Sequence, residues 1–237
     1  MRIQCQKRND LSISIVGQFY HNFWYILPMQ QQQQLSRAER QRLQLQADIL
    51  QAAFTEFSER GYHQTSVANI AQSVGIGHGT FYRHFANKRD ILHHVIVDTT
   101  QQLMALLNGE NAPQSFNTIE EYQEQCQRIS IRFREFATQN PSTLKLLLLE
   151  ATSIDAEMTL MIQNLIQMAG LFTANYLQHG VELGLFRSNL DCLNTGHNIV
   201  GMIINGALRF LSQPDEVQAL EDYANSIIQL IIAGMRA

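Results

Sequence analysis

Between residues 77 and 88 the chain sets out side chains suited to hydrogen-bond chemistry on a polyanion. They are Thr80, Tyr82, Arg83, His84 and Lys88, interleaved with Gly77, His78 and Gly79. Phe81 and Phe85, four residues apart, share one face of a helix. With those rings set inward, a step of roughly 100° per residue points Gly79 and Arg83 directly outward. Thr80 and Tyr82 fall on the flanks and His84 at the edge. Gly79 lets a backbone approach a partner closely. Arg83 can pair with a guanine edge or a phosphate, and Thr80 can touch a thymine methyl or a phosphate. Tyr82 and His84 have the reach for phosphate oxygens. Lys88 stands in the first turn of a following helix, where free amides also favour phosphate. This is the chemistry of a helix seated in the DNA major groove.

The elements that must position this run are legible on either side of it. A helix is expected over about 37–60, with Leu43, Ala47, Leu50, Phe54 and Phe57 recurring on one face. Gly61 ends it, and Thr65 or Ser66 caps the next helix, whose inward residues are Val67, Ile70, Ala71 and Val74. Gly75-Ile76-Gly77 makes the turn into the outward-facing run. Asn87 then caps a fourth helix, with Asp90 placed to favour its positive end. Beyond residue 92 the pattern is helix after helix. Tyr122, Cys126, Ile129, Phe133 and Phe136 line one, and Pro141 opens another. Met158, Met161, Leu165, Met168 and Phe172 stripe a long helix ending near Gly184, and two more follow over about 191–211 and 215–236. The expected fold is all-α. A three-helix helix-turn-helix unit over 37–97, its motif at about 66–85, precedes a larger helical domain over 98–237.

Charge follows the same division. The whole chain carries a net −4, but residues 35–90 hold seven Lys/Arg against five Asp/Glu, and residues 91–237 hold seven against fifteen. A basic module on an acidic body suits attraction to DNA at one end only. Cys5, Cys126 and Cys192 are far apart, with no CxxC or Cys/His ligand spacing, so a reduced, cytoplasmic setting is expected. No run reaches the roughly 20 apolar residues needed to span a membrane. HExxH, GxSxG, P-loop and dinucleotide fingerprints are lacking, and the adjacent His93 and His94 make a poor metal pair on a helix. Neither enzyme chemistry, a cofactor nor a metal is expected. Residues 1–36 read as a disordered extension, with Met29 and its glutamine tract as the expected true start.

Residues 37–97 resemble the N-terminal domain of TetR/AcrR-type transcriptional regulators, through ILQAAFTEFSERGYHQTSVANIAQSVGIGHGTFYRHFANKRDIL at residues 49–92. The resemblance implies a homodimer on palindromic double-stranded operator DNA, most often a repressor released by a small-molecule effector. Carried over position by position, DNA contacts fall on Ser66, Val67, Gly77, His78, Gly79, Thr80, Tyr82, Arg83, His84 and Lys88. Val67 departs from the hydroxyl or basic residue often found there, and Gly77 offers only backbone. The alternative is a helical small-molecule carrier or enzyme retaining a vestigial DNA-binding fold.

The resemblance also implies that the last two helices of each subunit form a four-helix dimer bundle. Gly201, Gly206 and Ala207 allow close helix approach, while Ile203, Ile204, Ile227, Leu230 and Ile231 supply apolar area. Tyr122, Phe133, Met161, Phe172 and Tyr176 are candidates to line a pocket for a hydrophobic effector, with Gln123, Glu150 or His179 as polar handles. The fourth helix, with inner residues Ile91, Val95, Leu103 and Leu107, would join the two domains.

Overall fold

A computed structural model of the chain describes residues 36–236, so the expected extension up to Leu35 and the start at Met29 lie outside the described residues. Within them all regular structure is helical, and the only β-type pairing is an isolated bridge between Phe186 and Arg236. The α-helices are α1 Arg37–Arg60, α2 Val67–Val74, α3 His78–Phe81, α4 Lys88–Ala105, α5 Ile119–Gln139, α6 Pro141–Lys145, α7 Ala156–Glu182, α8 Cys192–Ser212 and α9 Val217–Met235. Contacts divide the chain at Gln51–Ala52, inside α1, and Ala52–Ala237 is the larger unit. All the candidate site residues lie in it.

Most helix starts follow from side-chain caps. Ser66, Asn87, Thr118, Asp155 and Asp191 each accept a hydrogen bond from the backbone amide three residues on, ahead of α2, α4, α5, α7 and α8 respectively. At Ser66 the cap is reciprocal, because the Asn69 side chain accepts from the Ser66 amide at 2.9 Å. Gly75 closes α2 in the left-handed region, φ 73°, and the next amide, Ile76, reaches back to the Ala71 carbonyl at 2.9 Å.

Two elements differ from expectation. In α1 the buried residues are Ile49, Ala53, Glu56 and Phe57, while Leu50 and Phe54 are half-buried and Ala47 is exposed. The inward face is therefore turned from the purely apolar stripe. Glu56 sits on it because its carboxylate accepts from Ser73 Oγ at 2.6 Å and pairs with Arg60 at 2.8 Å. A charged residue on the inner face hides the phase of the stripe. The second difference follows α6. The helix opened by Pro141 passes into a π-helical turn, Leu146–Glu150, and then a 3₁₀ turn, Ala151–Ser153. Four successive leucines, Leu146 to Leu149, put apolar groups on every side and specify no phase. Leu146 and Leu147 are both buried, and Leu149 is exposed.

The main core of the C-terminal helices gathers Phe116, Tyr122, Tyr176, Leu177, Phe186, Ile199 and Met235. α7 and α8 cross closely: a Cβ added at Gly196 would stand 2.6 Å from the Gly170 carbonyl oxygen. At such a crossing only glycine fits.

Candidate nucleic-acid interface

The helix-turn-helix is held from below by aromatic residues. Phe81 and Phe85 are fully buried with ring centroids 5.9 Å apart, alongside buried Phe57, Ile70, Ala71, Ile91 and Leu92. Regular α-helix ends at Phe81, earlier than the expected run to residue 85. The chain then tightens, with Arg83 N–H donating to Thr80 O and His84 N–H to Phe81 O, bonds that span three residues rather than four. Phe85 N–H still reaches the Phe81 carbonyl at 3.0 Å, so both rings keep their inward setting.

The outward side is a contiguous polar strip. Gly77, His78, Gly79, Tyr82 and Arg83 are exposed, Thr80 and His84 half-buried. Tyr82 is 55% exposed, with its ring edge-on to Phe81. The Arg83 guanidinium donates to Thr80 Oγ1 at 2.9 Å, which lays it along the helix surface. Neither Gly77 nor Gly79 adopts positive φ, and a Cβ at either would meet nothing within 4 Å. Their own chain requires glycine at neither position.

Two of the candidates, Ser66 and Lys88, are engaged elsewhere, and a third is half-buried. The Ser66 hydroxyl is occupied by its cap with Asn69, and Val67 is half-buried at the first position of α2. Lys88 turns inward. Its Nζ donates to the carbonyls of Tyr62 at 2.7 Å and Thr65 at 2.9 Å and lies 4.1 Å from the Tyr62 ring centroid. Burial lowers its pKa below the usual lysine value.

Three long-range contacts have no local sequence signal. Glu150 accepts from the Tyr62 amide at 2.9 Å. Next to Lys88, Arg89 donates from Nε to Asp155 at 2.6 Å and pairs through Nη2 with Glu157 at 2.7 Å. Those contacts raise the Arg89 pKa, and the guanidinium holds Asp155 at about 2, well below its usual value. Asp155 also accepts from the Met158 amide as the cap of α7.

The effector candidates separate into two groups. Tyr122, Phe172 and Tyr176 join one aromatic cluster, where the Phe172 and Tyr176 rings meet edge-on at 5.7 Å and Tyr176 Oη donates to Asn111 O. Burial raises the pKa values of Tyr122 and Tyr176. Phe133 and Met161 are half-buried and are not among the residues gathered there, although Phe133 stands one turn beyond Ile129, which packs against the cluster. Of the polar handles, Gln123 is exposed, Glu150 is committed to Tyr62, and His179 bonds the Phe116 carbonyl at 3.0 Å.

On the last two helices Gly201 and Leu230 are exposed, Leu230 by 64%, while Ile204, Ala207 and Ile231 are half-buried and Ile227 buried. Gly206 faces inward. A Cβ there would fall 2.7 Å from Tyr223 of α9, whose hydroxyl donates to the Met202 carbonyl at 3.1 Å. Its smallness serves the crossing of α8 and α9 within one subunit.

Comparison with known proteins bears on residues 49–95, which match the model of "Bacterial regulatory proteins, tetR family". The chain is 22% identical over 187 residues to the fatty acid metabolism regulator protein of Bacillus subtilis (strain 168), covering 79% of this chain and 93% of that one. It is 26% identical over 167 residues to the HTH-type transcriptional repressor KstR2 of Mycobacterium tuberculosis, covering 61% and 70%. Among solved structures, the transcriptional regulator FadR from Bacillus subtilis in complex with stearoyl-CoA shares the fold, at TM-score 0.66 and 22% identity over 79% of this chain and 98% of the other.

Proposed function

We propose, from the premise that this chain is a TetR-family transcriptional regulator, that it is a homodimeric repressor of a palindromic operator, released by a small hydrophobic effector. The observation that carries the DNA-binding part is the exposed strip Gly77, His78, Gly79, Thr80, Tyr82 and Arg83 over the buried Phe81 and Phe85. Two glycines that the fold does not require leave room for a phosphate or a groove wall. Gly79, Thr80 and Arg83 face bases and phosphates, and Tyr82 and His84 reach phosphates. Ser66, Val67 and Lys88 act from behind, by fixing the start of α2 and the turn before it. We take residues 37–97 as the DNA-binding domain and 98–237 as the effector and dimer domain.

The effector reading rests on the aromatic cluster of Tyr122, Phe172 and Tyr176, and on the Bacillus subtilis neighbour solved with stearoyl-CoA. Long-chain acyl thioesters are therefore the first compounds to test. Dimerisation uses the outer faces of α8 and α9, with Gly201 and Leu230 at its centre. No helix among the described residues is long and apolar enough to cross a membrane, which suits a regulator acting in the cytoplasm.

The test is a gel shift of the full chain on duplex DNA from the region upstream of its own gene, repeated with stearoyl-CoA. Retarded DNA that is freed by the thioester is the expected result. Failure to bind the duplex above a random competitor would overturn the regulator reading. Binding that ignores the thioester would overturn the acyl effector alone.

A further inference from the structure

Tyr62 is a junction between the DNA-reading helices and the body. Its amide donates to Glu150 Oε2 at 2.9 Å, and its carbonyl accepts from Lys88 Nζ at 2.7 Å. The preceding residue, Gly61, is in the left-handed region at φ 79°, and a Cβ there would stand 3.4 Å from the Glu150 carboxylate. The left-handed backbone favours glycine at that turn, and a methyl group there would make ordinary contact with the carboxylate. Thr65 closes the same turn by donating its hydroxyl to the carbonyls of Glu56 and Gly61. Five residues after Glu150, Asp155 holds Arg89. The two adjacent basic residues that open α4 are thus tied to one short stretch of the body, Arg89 directly and Lys88 through Tyr62.

That stretch is not α-helical. Glu150 is the last residue of the π turn Leu146–Glu150, and a 3₁₀ turn, Ala151–Ser153, follows at once. A π turn holds extra chain relative to an α turn, and such turns recur at functional sites. Returning one residue of that excess to α-helix would rotate Glu150 by roughly 100° about the axis, and its carboxylate would leave the Tyr62 amide. The alternatives are discrete because the ladder takes one hydrogen-bond register or the other.

We propose that Glu150 is a positioning residue that passes the hydrogen-bond register of residues 146–153 to the DNA-reading helices through the Tyr62 amide. The proposal rests on the reading of this chain as an effector-responsive DNA-binding regulator. It gives the body a defined lever on the turn between α1 and α2, and through Lys88 on the start of α4. A coupling of this kind needs a physical element with two arrangements, and the proposal assigns that part to the π turn.

The experiment uses the full chain as wild type, Glu150→Ala and Glu150→Gln. Amide hydrogen exchange is followed over residues 61–65 and 67–81, and affinity is measured for the upstream duplex. Glu150→Gln keeps an oxygen on the Tyr62 amide and should stay within about threefold of wild type in both readouts. Glu150→Ala should speed exchange by roughly tenfold across both stretches, although no hydrogen bond within α2 or α3 is touched. Its DNA affinity should shift within the range of about 5–150-fold expected of an allosteric coupling, with the thermal midpoint of the body helices retained. Faster exchange confined to Tyr62, with unchanged DNA affinity, would reduce the contact to local packing and overturn the proposal. If wild type binds no duplex, the regulator reading fails. The exchange measurement then decides alone: opening that spreads into α2 and α3 supports the lever, and unchanged exchange refutes it.

Discussion

Arg83 and Lys88 stand five residues apart and face opposite ways, so their replacement by alanine should have opposite signatures. Arg83 is exposed, and its guanidinium donates to Thr80 Oγ1. Arg83→Ala should leave thermal stability within about 0.5 kcal/mol and cost about 1–3 kcal/mol on the cognate site, with preference relaxed at one base pair. Equal losses on all sequences would make Arg83 a phosphate clamp. Lys88 gives its ammonium to two carbonyls and a tyrosine ring. Its removal should lower stability by about 1–3 kcal/mol, read as a lower melting midpoint. A salt slope reduced by about one unit with no change in melting would return Lys88 to the phosphate-contact role that its place in the first helical turn suggests. The sequence displays the lysine at that favourable position but not the two carbonyls of the preceding turn that capture it.

Among the elements, caps and turns were the most legible features, because their chemistry is local. Ser66, Asn87 and the Gly75 turn need only neighbours within four residues. What depends on distant residues was hidden. The phase of α1 turns on Ser73 meeting Glu56, and the π turn after α6 on a leucine run that encodes no face. Arg89 and Asp155, 66 positions apart, could not be paired by spacing. That pair also makes the start of α7 sensitive to acid. The Asp155 carboxyl titrates near its ordinary 3.8 when unfolded and at about 2 when folded, so the unfolded chain binds the proton first. Its contribution is complete above about 3.8 and disappears as pH falls through about 2. Asp155→Asn should flatten the acid limb of a denaturation series in that window; an unchanged limb would show that the pair contributes nothing measurable. Gly206 was expected at the dimer surface and instead faces Tyr223. Gly206→Leu should therefore cost roughly 1–3 kcal/mol by overpacking within the subunit. Lowered melting that is independent of protein concentration would mark this site, whereas a change in association alone would restore it to the dimer surface.

For the whole molecule, the dimer prediction moves to Leu230, 64% exposed on α9. Leu230→Lys should weaken self-association in sedimentation and, because two half-sites must be bound together, weaken operator binding as well. A variant that remains a tight dimer would place the interface elsewhere. The reading turn has a consequence of another kind. Its anchors, Phe81, Phe85 and the Lys88 ammonium, are inward, while Gly79 and Arg83 carry no core packing. On the proposed reading, target preference and foldability are therefore written in different residues of the same short stretch. After gene duplication, one copy could acquire a new operator through changes at positions 79 and 83 without first crossing an unstable intermediate. A library randomised at those two positions should contain mostly folded members that differ in the DNA they choose.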